Sequence, residues 1–328
     1  MRTAPTPGRR HVKTRRSEIA SALATAGESG LSGQRLAEAL GVSRVAVAKH
    51  VTALVAAGYQ IDAVRGEGYR LISLPAGLVP VEVERLVTDS LWVCIEGAAE
   101  TGSTNEDCKV LARAGAEEGT VVVAARQRAG KGRLGREWTS PEGGAYLSAL
   151  LRPPCAPSEI AAFAPACALG VAYGLEALGV HPQLKWPNDV QLAGKKIAGI
   201  LVEMSAETDR VEWVVAGCGV NVRRSERCFQ DGVFVNDVVD ATPSKVAAAV
   251  LDGLARAYRE YLAGGFSAMR GAYETRHTLV GADVVIRDMT GVIVASGVVE
   301  GVDASARLLV RGPDGPVPVV AGEVTLRS

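Results

Sequence analysis

Residues 32–51 have the sequence SGQRLAEALGVSRVAVAKHV, and this stretch predicts a helix-turn-helix. Ser32 and Ser43 occupy positions that favour helix N-caps, and Gly41 supplies a tight turn between the two helices. Residues 17–26 predict a further helix in front of them. Apolar residues recur at helical spacing on one side of the pair: Leu36, Ala37 and Leu40 in the first helix, and Val47, Val51, Leu54 and Val55 in the second.

Two short alternating strands follow at residues 59–64 and 69–72, and the RGEG sequence between them predicts a hairpin wing. Residues 1–70 carry 11 Lys/Arg against 5 Asp/Glu, although the whole chain has a formal net charge of zero. This charge favours a polyanion as partner. We therefore predict a winged helix-turn-helix DNA-binding domain over residues 17–74, with a plain three-helix packing module as the alternative. The predicted DNA-contacting residues are Ser32, Gln34, Ser43, Arg44, Lys49, His50 and Arg65.

The composition, 328 residues with 48% hydrophobic and 22% charged, excludes intrinsic disorder for the bulk of the chain. Residues 1–16 carry six Lys/Arg and no acidic residue, and no apolar run follows them. We therefore predict a basic flexible tail on a cytoplasmic protein, not a secretory signal. The longest uncharged apolar run, residues 160–175, is shorter than the roughly 20 residues of a membrane span. The six scattered cysteines indicate neither a disulfide framework nor a zinc site.

Pro75, Gly77 and Pro80 predict a linker, after which the composition changes. The central segment, residues 80–276, is predicted to carry the chemistry. Residues 277–328 hold short Val-rich stretches divided by Gly and Asp turns, which predicts a small β domain. Its predicted strands are residues 284–286, 291–294, 308–311 and 323–326.

Residues 130–136, GKGRLGR, formally match the G-x-G-x-x-G of a dinucleotide-binding turn. That fingerprint needs a helix directly after the glycines, and Pro141 with the glycines that follow it disfavours one. The H-R-D and D-F-G motifs of protein kinases are missing as well. What remains is a flexible loop that can order around an anion such as a phosphorylated intermediate. Its three cations are Lys131, Arg133 and Arg136.

Three further motifs lie in the central segment. KWPND at 185–189 predicts a proline turn with Asn188 and Asp189 at its mouth. GKKIAGILVE at 194–203 begins an apolar strand with lysine, which is costly unless the lysine meets an anion or snorkels to solvent. GCGVNV at 217–222 has two glycines inside a strand, which predicts the close approach of a ligand or another backbone.

TGSTNE at 101–106 places three small hydrogen-bonding side chains at a predicted helix start, which by itself is only a capping sequence. No Ser/His/Asp set or activated cysteine is evident. Chemistry in this chain would therefore depend on positioning and electrostatics, as in phosphoryl and nucleotidyl transfer.

Taken together, these motifs resemble those of the biotin–protein ligases and occur in the same order. With the winged helix-turn-helix in front, the chain resembles the members of that family that also repress the biotin operon. The resemblance runs from about residue 17 to GEVTL at 322–326. It implies an α+β multidomain fold, with a central mixed β-sheet with helices and a C-terminal SH3-like small β-barrel.

The resemblance also implies roles for individual residues. The implied biotin-binding residues are Ser103, Thr104, Asn105, Gln127, Gly130, Lys131, Gly132, Arg133, Lys196, Gly199, Gly217 and Gly219. The implied ATP-binding residues are Lys131, Arg133, Arg136, Asn188, Asp189, Lys196 and Asn221, with Phe234 as a cover for adenine. Arg133 and Lys196 are expected to be catalytic, and no protein-only metal site is expected because Mg²⁺ would arrive with ATP near Asp189. Lys131 departs from the more usual Arg of the family, which exchanges a bidentate donor for a point charge.

The implied activity is that of a biotin–[acetyl-CoA-carboxylase] ligase with biotin, ATP and Mg²⁺. Biotin and ATP would give biotinyl-5′-AMP and pyrophosphate, and the biotinyl group would then pass to a lysine of a biotin carboxyl carrier protein. The other implied partners are operator DNA and a second copy of the chain, in a homodimer promoted by biotinyl-5′-AMP as corepressor. Two alternatives stay open: a biotin-sensing regulator without ligase activity, and a lipoate–protein ligase-like enzyme.

Overall fold

The computed structural model describes residues 13–64, 67–225, 232–313 and 315–327. Three units follow one another along the chain. A helical unit with a two-stranded sheet comes first, a seven-stranded sheet with helices forms the centre, and a five-stranded sheet comes last.

The N-terminal unit is a helix-turn-helix with a hairpin, as predicted. Its elements are α1 (Arg15–Ala26), α2 (Gly33–Leu40), α3 (Arg44–Ala56), β1 (Gln60–Val64) and β2 (Gly68–Ser73). The Ser32 side chain accepts a hydrogen bond from the backbone of Arg35, and Ser43 accepts one from Ala46. Gly41 has φ +63° and ends α2 in the left-handed conformation that favours glycine. The turn residues 65 and 66, and with them the predicted DNA contact Arg65, lie outside the described residues.

This unit has a hydrophobic core of its own, which includes Ile19, Leu23, Leu36, Val47 and Leu54. The prediction that Val55 also faces this core is wrong, because its side chain is 47% exposed. Val55 directly follows the buried Leu54, and one residue turns a helix by about 100°, which carries its side chain away from the core.

The central unit is a mixed sheet with helices, as predicted. Its elements are α4 (Pro80–Leu86), β3 (Cys94–Thr101), α5 (Thr104–Arg113), β4 (Thr120–Gln127), β5 (Gly144–Leu151), α6 (Phe163–Ala177), β6 (Gln183–Lys185), β7 (Asp189–Leu192), β8 (Lys195–Ala206), β9 (Val211–Asn221) and α7 (Pro243–Glu274). The strand order is β3-β4-β5-β9-β8-β7-β6, in which β3 and β4 are parallel and every other neighbouring pair is antiparallel. The large apolar core contains residues of α6 and α7, and a smaller cluster contains residues of α5.

One helical stretch of the described chain, Pro157–Ala177, has the length and hydropathy of a membrane span. However, 78% of its most apolar window is buried inside the protein. It contributes Phe163, Leu169 and Leu175 to the central core. We therefore assign it as a core helix.

The C-terminal unit is a single antiparallel sheet of five strands. They are β10 (Asp283–Arg287), β11 (Ile293–Val302), β12 (Leu308–Gly312), β13 (Gly315–Val319) and β14 (Glu323–Leu326), in the order β13-β12-β11-β10-β14. The four predicted strands are present, and β13 was missed. Pro316 and Pro318 argue against a strand in the sequence, but β13 is an edge strand, where proline is tolerated.

The predicted linker is in fact a tight junction. Helix α4 contacts both α1 of the N-terminal unit and α7 of the central unit. The Ser244 hydroxyl, at the start of α7, accepts a hydrogen bond from the backbone of Val79 and donates one to the carbonyl of Gly77. Residues 75–80 therefore follow a defined path between the two units.

The prediction of a flexible tail as far as residue 16 is wrong for its last four residues. The Lys13 ammonium donates to the carbonyl of Arg85, and the Thr14 backbone and hydroxyl both donate to the Glu84 carboxylate. Helix α1 begins at Arg15. Residues 1–12 lie outside the described residues.

Candidate functional site

A cavity lies between the central sheet and the glycine-rich loop of residues 130–138. Most of the predicted small-molecule residues line it, although they come from separate parts of the chain. They are Ser103, Thr104, Asn105, Gln127, Lys131, Gly132, Arg133, Asn188, Lys196, Gly199, Gly217 and Gly219. The volume of the cavity is about 50 Å³.

The polar end of the cavity is formed where α5 begins and β4 ends. Gln127, the last residue of β4, accepts a hydrogen bond of 2.8 Å from the backbone of Thr104. Asn105 accepts a hydrogen bond from the Ser148 hydroxyl and donates one of 2.8 Å to the Glu203 carboxylate. The Ser103 side chain makes no capping bond to α5. The sequence 103–105 is therefore more than a cap, since its buried polar groups turn toward the cavity.

The strand glycines leave room for the side chains of Asn105 and Trp138, which lie over them on the cavity side. A Cβ atom added at Gly217 would lie 2.0 Å from Oδ1 of Asn105. One added at Gly219 would lie 2.4 Å from the Trp138 indole nitrogen, and one at Gly199 would lie 2.9 Å from the same ring. These distances are shorter than van der Waals contact, so a side chain at any of the three positions would force Asn105 or Trp138 to shift.

Trp138 is the main site residue that the sequence analysis missed. Its indole lies in the cavity against Gly199 and Gly219, and the Lys196 ammonium stands 5.1 Å from the centre of its ring. The indole N–H is buried and has no hydrogen-bond partner within the part of the chain that the structure describes. A lone tryptophan directly after a charged, glycine-rich loop was the available signal, because such a segment has no core of its own to bury it.

Each of the three loop cations contacts a different element. Lys131 pairs with Glu106 on α5, the Arg133 guanidinium donates to Oδ1 of Asn188 at 3.0 Å, and Arg136 pairs with Glu323 on β14. Residues 133–135 form one short 3₁₀ turn, and no α-helix follows the glycines, in agreement with the rejection of a dinucleotide fingerprint.

The loop cations differ in burial. Burial lowers the pKa of Arg133, whose guanidinium lies under the loop beside Asn188. Arg136 is exposed and does not line the cavity; its hydrogen bond to Glu323 raises the pKa of its guanidinium. In this structure Arg136 is therefore directed to Glu323, whereas Lys131 and Arg133 line the first cavity.

Lys196, the second residue of β8, meets an anion, as the sequence analysis expected of a lysine at the start of this strand. The Lys196 ammonium lies 2.6 Å from Oδ1 of Asp189 on the neighbouring strand β7. Asn188 is buried and fixed by a hydrogen bond of 2.9 Å from its amide to the carbonyl of Ile200. The adjacent Lys195 is exposed and makes no ion pair in the described chain.

A second cavity of about 210 Å³ lies beside the first, between the loop, the turn at residues 185–189 and residues 322–324 of the C-terminal sheet. The two cavities share Gly132, Arg133, Trp138, Asn188 and Lys196. Arg136 and Asp189 line only the second one. The predicted groups for a nucleotide are therefore divided between two adjoining spaces.

Three predicted residues lie outside both cavities. Gly130 is buried beneath the loop, where an added Cβ would lie 2.4 Å from the carbonyl oxygen of Trp138. Asn221 is buried and donates to the carbonyl of Lys196 at 3.3 Å. Phe234 is fully buried with Arg224 over its ring, so the structure does not bring it to either cavity as a cover.

No group of three or more His, Cys, Asp or Glu side chains is placed to hold a metal ion in the described ranges of the chain. Asp189 lines the second cavity and pairs with Lys196, which lines both. This arrangement fits Mg²⁺ that arrives with a nucleotide, since such ions are bound by one or two carboxylates together with substrate phosphates.

The N-terminal unit presents a separate polar surface on α3. Arg44 and Lys49 are exposed there, and His50 is half-buried. The Ser32 and Ser43 hydroxyls cap their helices, and the Gln34 amide donates to Glu38. Val45 was not among the predicted residues, although its side chain is 80% exposed in the first turn of α3, between Arg44 and Lys49 in the sequence.

Comparison with known proteins gives matches to both the central unit, which contains the cavities, and the N-terminal unit. Residues 100–221 match the Biotin/lipoate A/B protein ligase family, and residues 15–70 match an HTH domain. The "Bifunctional ligase/repressor BirA" of Bacillus subtilis (strain 168) is 33% identical over 323 residues, which cover 95% of this chain and 99% of that protein. The protein of the same name from Escherichia coli (strain K12) is 30% identical, over 90% of this chain and 93% of that protein.

The fold agrees with a solved structure as well. The biotin protein ligase from Aquifex aeolicus, in complex with biotin and ATP, superposes with a TM-score of 0.59 and 27% sequence identity. The match covers 70% of this chain and 97% of that one.

Proposed function

The chain belongs to the biotin–protein ligase family, in the group of bifunctional ligase/repressors, and on this basis we propose how its cavities and its N-terminal unit act. The protein is an ATP-dependent biotin–protein ligase that also binds operator DNA as a repressor. The observation that carries the ligase function is the meeting of residues 103–105 and Gln127 with three cations, Lys131, Arg133 and Lys196, in one cavity.

The reaction has two steps. A carboxylate oxygen of biotin attacks the α-phosphorus of ATP, the bond to the β-phosphate breaks, and biotinyl-5′-AMP and pyrophosphate form. The amine of a lysine on the biotin carboxyl carrier protein then attacks the acyl carbon. An amide forms, AMP leaves, and the amine loses a proton. A carboxylate is ionised at neutral pH, so the first step needs no general base, and the protein contributes position and charge.

Biotin is proposed to bind in the first cavity. Ser103, Thr104, Asn105 and Gln127 are the polar groups at its closed end, and Gly199, Gly217 and Gly219 keep its floor flat. The cavity volume of about 50 Å³ is well below the roughly 300 Å³ of small ligand pockets. We therefore propose that the Trp138 indole moves aside when biotin enters.

ATP is proposed to bind across the boundary with the second cavity. There Arg133 and Lys196 lie next to the reacting carboxylate and phosphate, where they neutralise the charge that grows in the transition state. Lys131, Asn188 and Asp189 are proposed on the phosphate side, with Asp189 as the group nearest to the Mg²⁺ of the substrate. Arg136 is proposed to act from the rim, and Asn221 through the backbone of Lys196.

The repressor function is proposed to use the exposed face of α3. Arg44 and Lys49 would contact DNA there, while Ser32 and Ser43 orient the two helices. We further propose that biotinyl-5′-AMP is the corepressor and that it promotes a homodimer on the operator. Membership in the ligase/repressor group supports this proposal, and sedimentation of the protein with and without biotinyl-5′-AMP tests it.

For the domain organisation we propose a DNA-binding domain that begins at residue 13 and ends near 74, a catalytic domain over residues 80–276, and an SH3-like domain over residues 277–328. The antiparallel five-stranded sheet supports the last assignment. A cytoplasmic location is proposed because every described cysteine is a free thiol, as is usual in a reducing compartment.

Transfer of labelled biotin to a purified carrier domain tests the ligase function. We expect label on the carrier only when ATP and Mg²⁺ are present. An unlabelled carrier together with biotin binding would instead indicate a biotin-sensing regulator. Transfer of lipoate in preference to biotin would indicate a lipoate–protein ligase, the other activity in the name of the matching family.

A further inference from the structure

We propose that Glu106 is a positioning residue, which fixes the Lys131 ammonium at the mouth of the biotin cavity and couples the loop to Asn105 in the cavity. The proposal rests on the proposed ligase function. It adds to that function a residue, Glu106, that acts on the substrate only through Lys131. It concerns one continuous network of charged side chains that runs from the loop to the sheet.

The network begins at Lys131, whose ammonium pairs with Glu106 in the first turn of α5. Lys109, one turn further along α5, lies 2.8 Å from the same carboxylate and 2.8 Å from Glu203 on β8. Glu203 in turn accepts a hydrogen bond of 2.8 Å from the Asn105 amide. Two cations and two carboxylates thus alternate between the loop and the cavity.

Glu106 is the central member of this network because its carboxylate pairs with both lysines. The hydrogen bonds from Lys109 and Lys131 lower the pKa of Glu106 to about 2, so its carboxylate stays ionised at neutral pH. The Lys109 side chain is only 12% exposed, and it needs nearby negative charge to remain there as an ammonium. Without the Glu106 charge, Lys109 would keep only Glu203 as a partner, and Lys131 would lose its carboxylate.

Lys131 is the member that most needs a fixed partner. Its side chain is 50% exposed, and a lysine is a point charge on a flexible stem, whereas an arginine offers a rigid fork. An ammonium has three hydrogens, so one can go to Glu106 while the others remain free for a phosphate. Glu106 thereby restricts Lys131 to the cavity mouth, which keeps the loop over an acyl phosphate bound inside.

The experiment that tests this proposal measures how fast biotinyl-5′-AMP dissociates from the protein. Wild-type protein and Glu106→Gln are loaded with radiolabelled biotin and ATP, pyrophosphatase is added, and the release of biotinyl-5′-AMP is followed without a carrier. We expect release to be about 3- to 10-fold faster in Glu106→Gln, as for the loss of a networked, partly exposed ion pair. The KM for biotin should change less than the release rate.

Glu100→Gln is the matched control. Glu100 has a similar exposure and pairs with Arg126 and Arg128 on the same sheet, but it contacts no loop cation. We expect this variant to release the intermediate at the wild-type rate, and both variants to keep the wild-type melting temperature and DNA affinity.

A double-mutant cycle with Lys131→Met separates positioning from a general structural effect. If Glu106 acts through Lys131, Glu106→Gln adds little to the release rate of Lys131→Met. Equal release from Glu106→Gln and Glu100→Gln, or full additivity with Lys131→Met, would overturn the inference. Failure of the wild-type protein to form biotinyl-5′-AMP would instead contradict the ligase function itself.

Discussion

Lys196 and Asp189 form an ion pair of 2.6 Å between the adjacent strands β7 and β8, directly where the two cavities meet. The pair explains how a lysine can stand near the start of an otherwise apolar strand, since Lys196 directly precedes the buried Ile197. Both side chains remain partly exposed, 39% for Lys196 and 26% for Asp189, so their interaction contributes little to stability. The pair therefore serves to place charged groups beside a bound substrate more than to stabilise the fold.

Replacing Lys196 by Met should lower the rate of biotinyl-5′-AMP formation by about 10²- to 10³-fold, because it removes a cation from the charge that develops on the phosphate. ATP-dependent release of pyrophosphate measures the rate. Lys195→Met is the matched control, since Lys195 is the neighbouring lysine and points to solvent. Similar rates in the two variants would contradict the role of Lys196.

Biotin binding should change the fluorescence of Trp138, because the indole must leave a cavity of about 50 Å³ to admit the ligand. Trp92 and Trp213 are buried away from both cavities, and Trp186 borders only the second one, so these three should contribute a nearly constant background when biotin alone is added. The change should therefore disappear in Trp138→Phe and persist in Trp213→Phe. Gly219→Ala, whose new Cβ would overlap the indole nitrogen, should alter the emission before biotin is added.

The features of the fold that could be predicted from the sequence are those set by residues close to one another along the chain. Ser32, Gly41 and Ser43 act on helices within a few residues of themselves, so their caps and turn followed from local chemistry. The loop was predicted not to continue into a helix for the same reason, since Pro141 lies close by.

What the sequence could not predict depends on distant residues. The position of Trp138 is set by the space over Gly199 and Gly219, two glycines on different strands. Arg136 turns away from the cavity because Glu323 of the C-terminal sheet lies within reach. Phe234 looked suited to cover adenine as an isolated aromatic residue, but packing against Arg224 buries its ring.

The junction between the DNA-binding and catalytic domains should depend on Tyr59. Its buried hydroxyl donates to the Glu82 carboxylate of α4 at 2.5 Å, and Arg85 pairs with the same carboxylate. Burial raises the pKa of the Tyr59 hydroxyl and keeps it a donor. Tyr59→Phe should therefore lower the free energy of unfolding by about 1–2 kcal/mol, because the carboxylate loses a buried donor.

Urea denaturation measures this effect, and Tyr69→Phe is the control, since its hydroxyl makes no hydrogen bond within the described chain. Ligase activity at 25 °C should remain unchanged in both variants, because Tyr59 lies away from both cavities. Unfolding free energies that agree for Tyr59→Phe and Tyr69→Phe would show that the junction does not depend on this bond.

Operator binding should require Arg44, which is exposed in the first turn of α3. Arg44→Ala should weaken binding and reduce the dependence of log affinity on log salt by about 0.9 for each phosphate that the variant no longer neutralises. Arg113→Ala, at the end of α5 in the catalytic domain, should leave both quantities unchanged. Fluorescence anisotropy with labelled operator at several salt concentrations measures them. Unchanged affinity in Arg44→Ala would contradict the assignment of α3 as the recognition helix.

Acid should destabilise the protein through His277, which lies where the catalytic domain meets the C-terminal sheet. Its ring is 8% exposed, packs against Tyr273, and has no hydrogen bond on either nitrogen within the described residues. Burial lowers the pKa of His277 from 6.5 to about 4, and the nearby Glu274 opposes this shift only partly. Because the folded-state pKa is depressed, the contribution is fully present above pH 6.5 and is lost as the pH falls toward 4.

The free energy of unfolding should consequently be about 2 kcal/mol lower at pH 5 than at pH 7.5 through this residue alone. His277→Phe cannot take up a proton, so it should flatten this part of the pH dependence, whatever its effect on stability at pH 7.5. His181→Phe changes an exposed histidine and should keep the wild-type slope. Urea denaturation at the two pH values gives the comparison, and parallel slopes for wild type and His277→Phe would exclude His277 as the source of acid sensitivity.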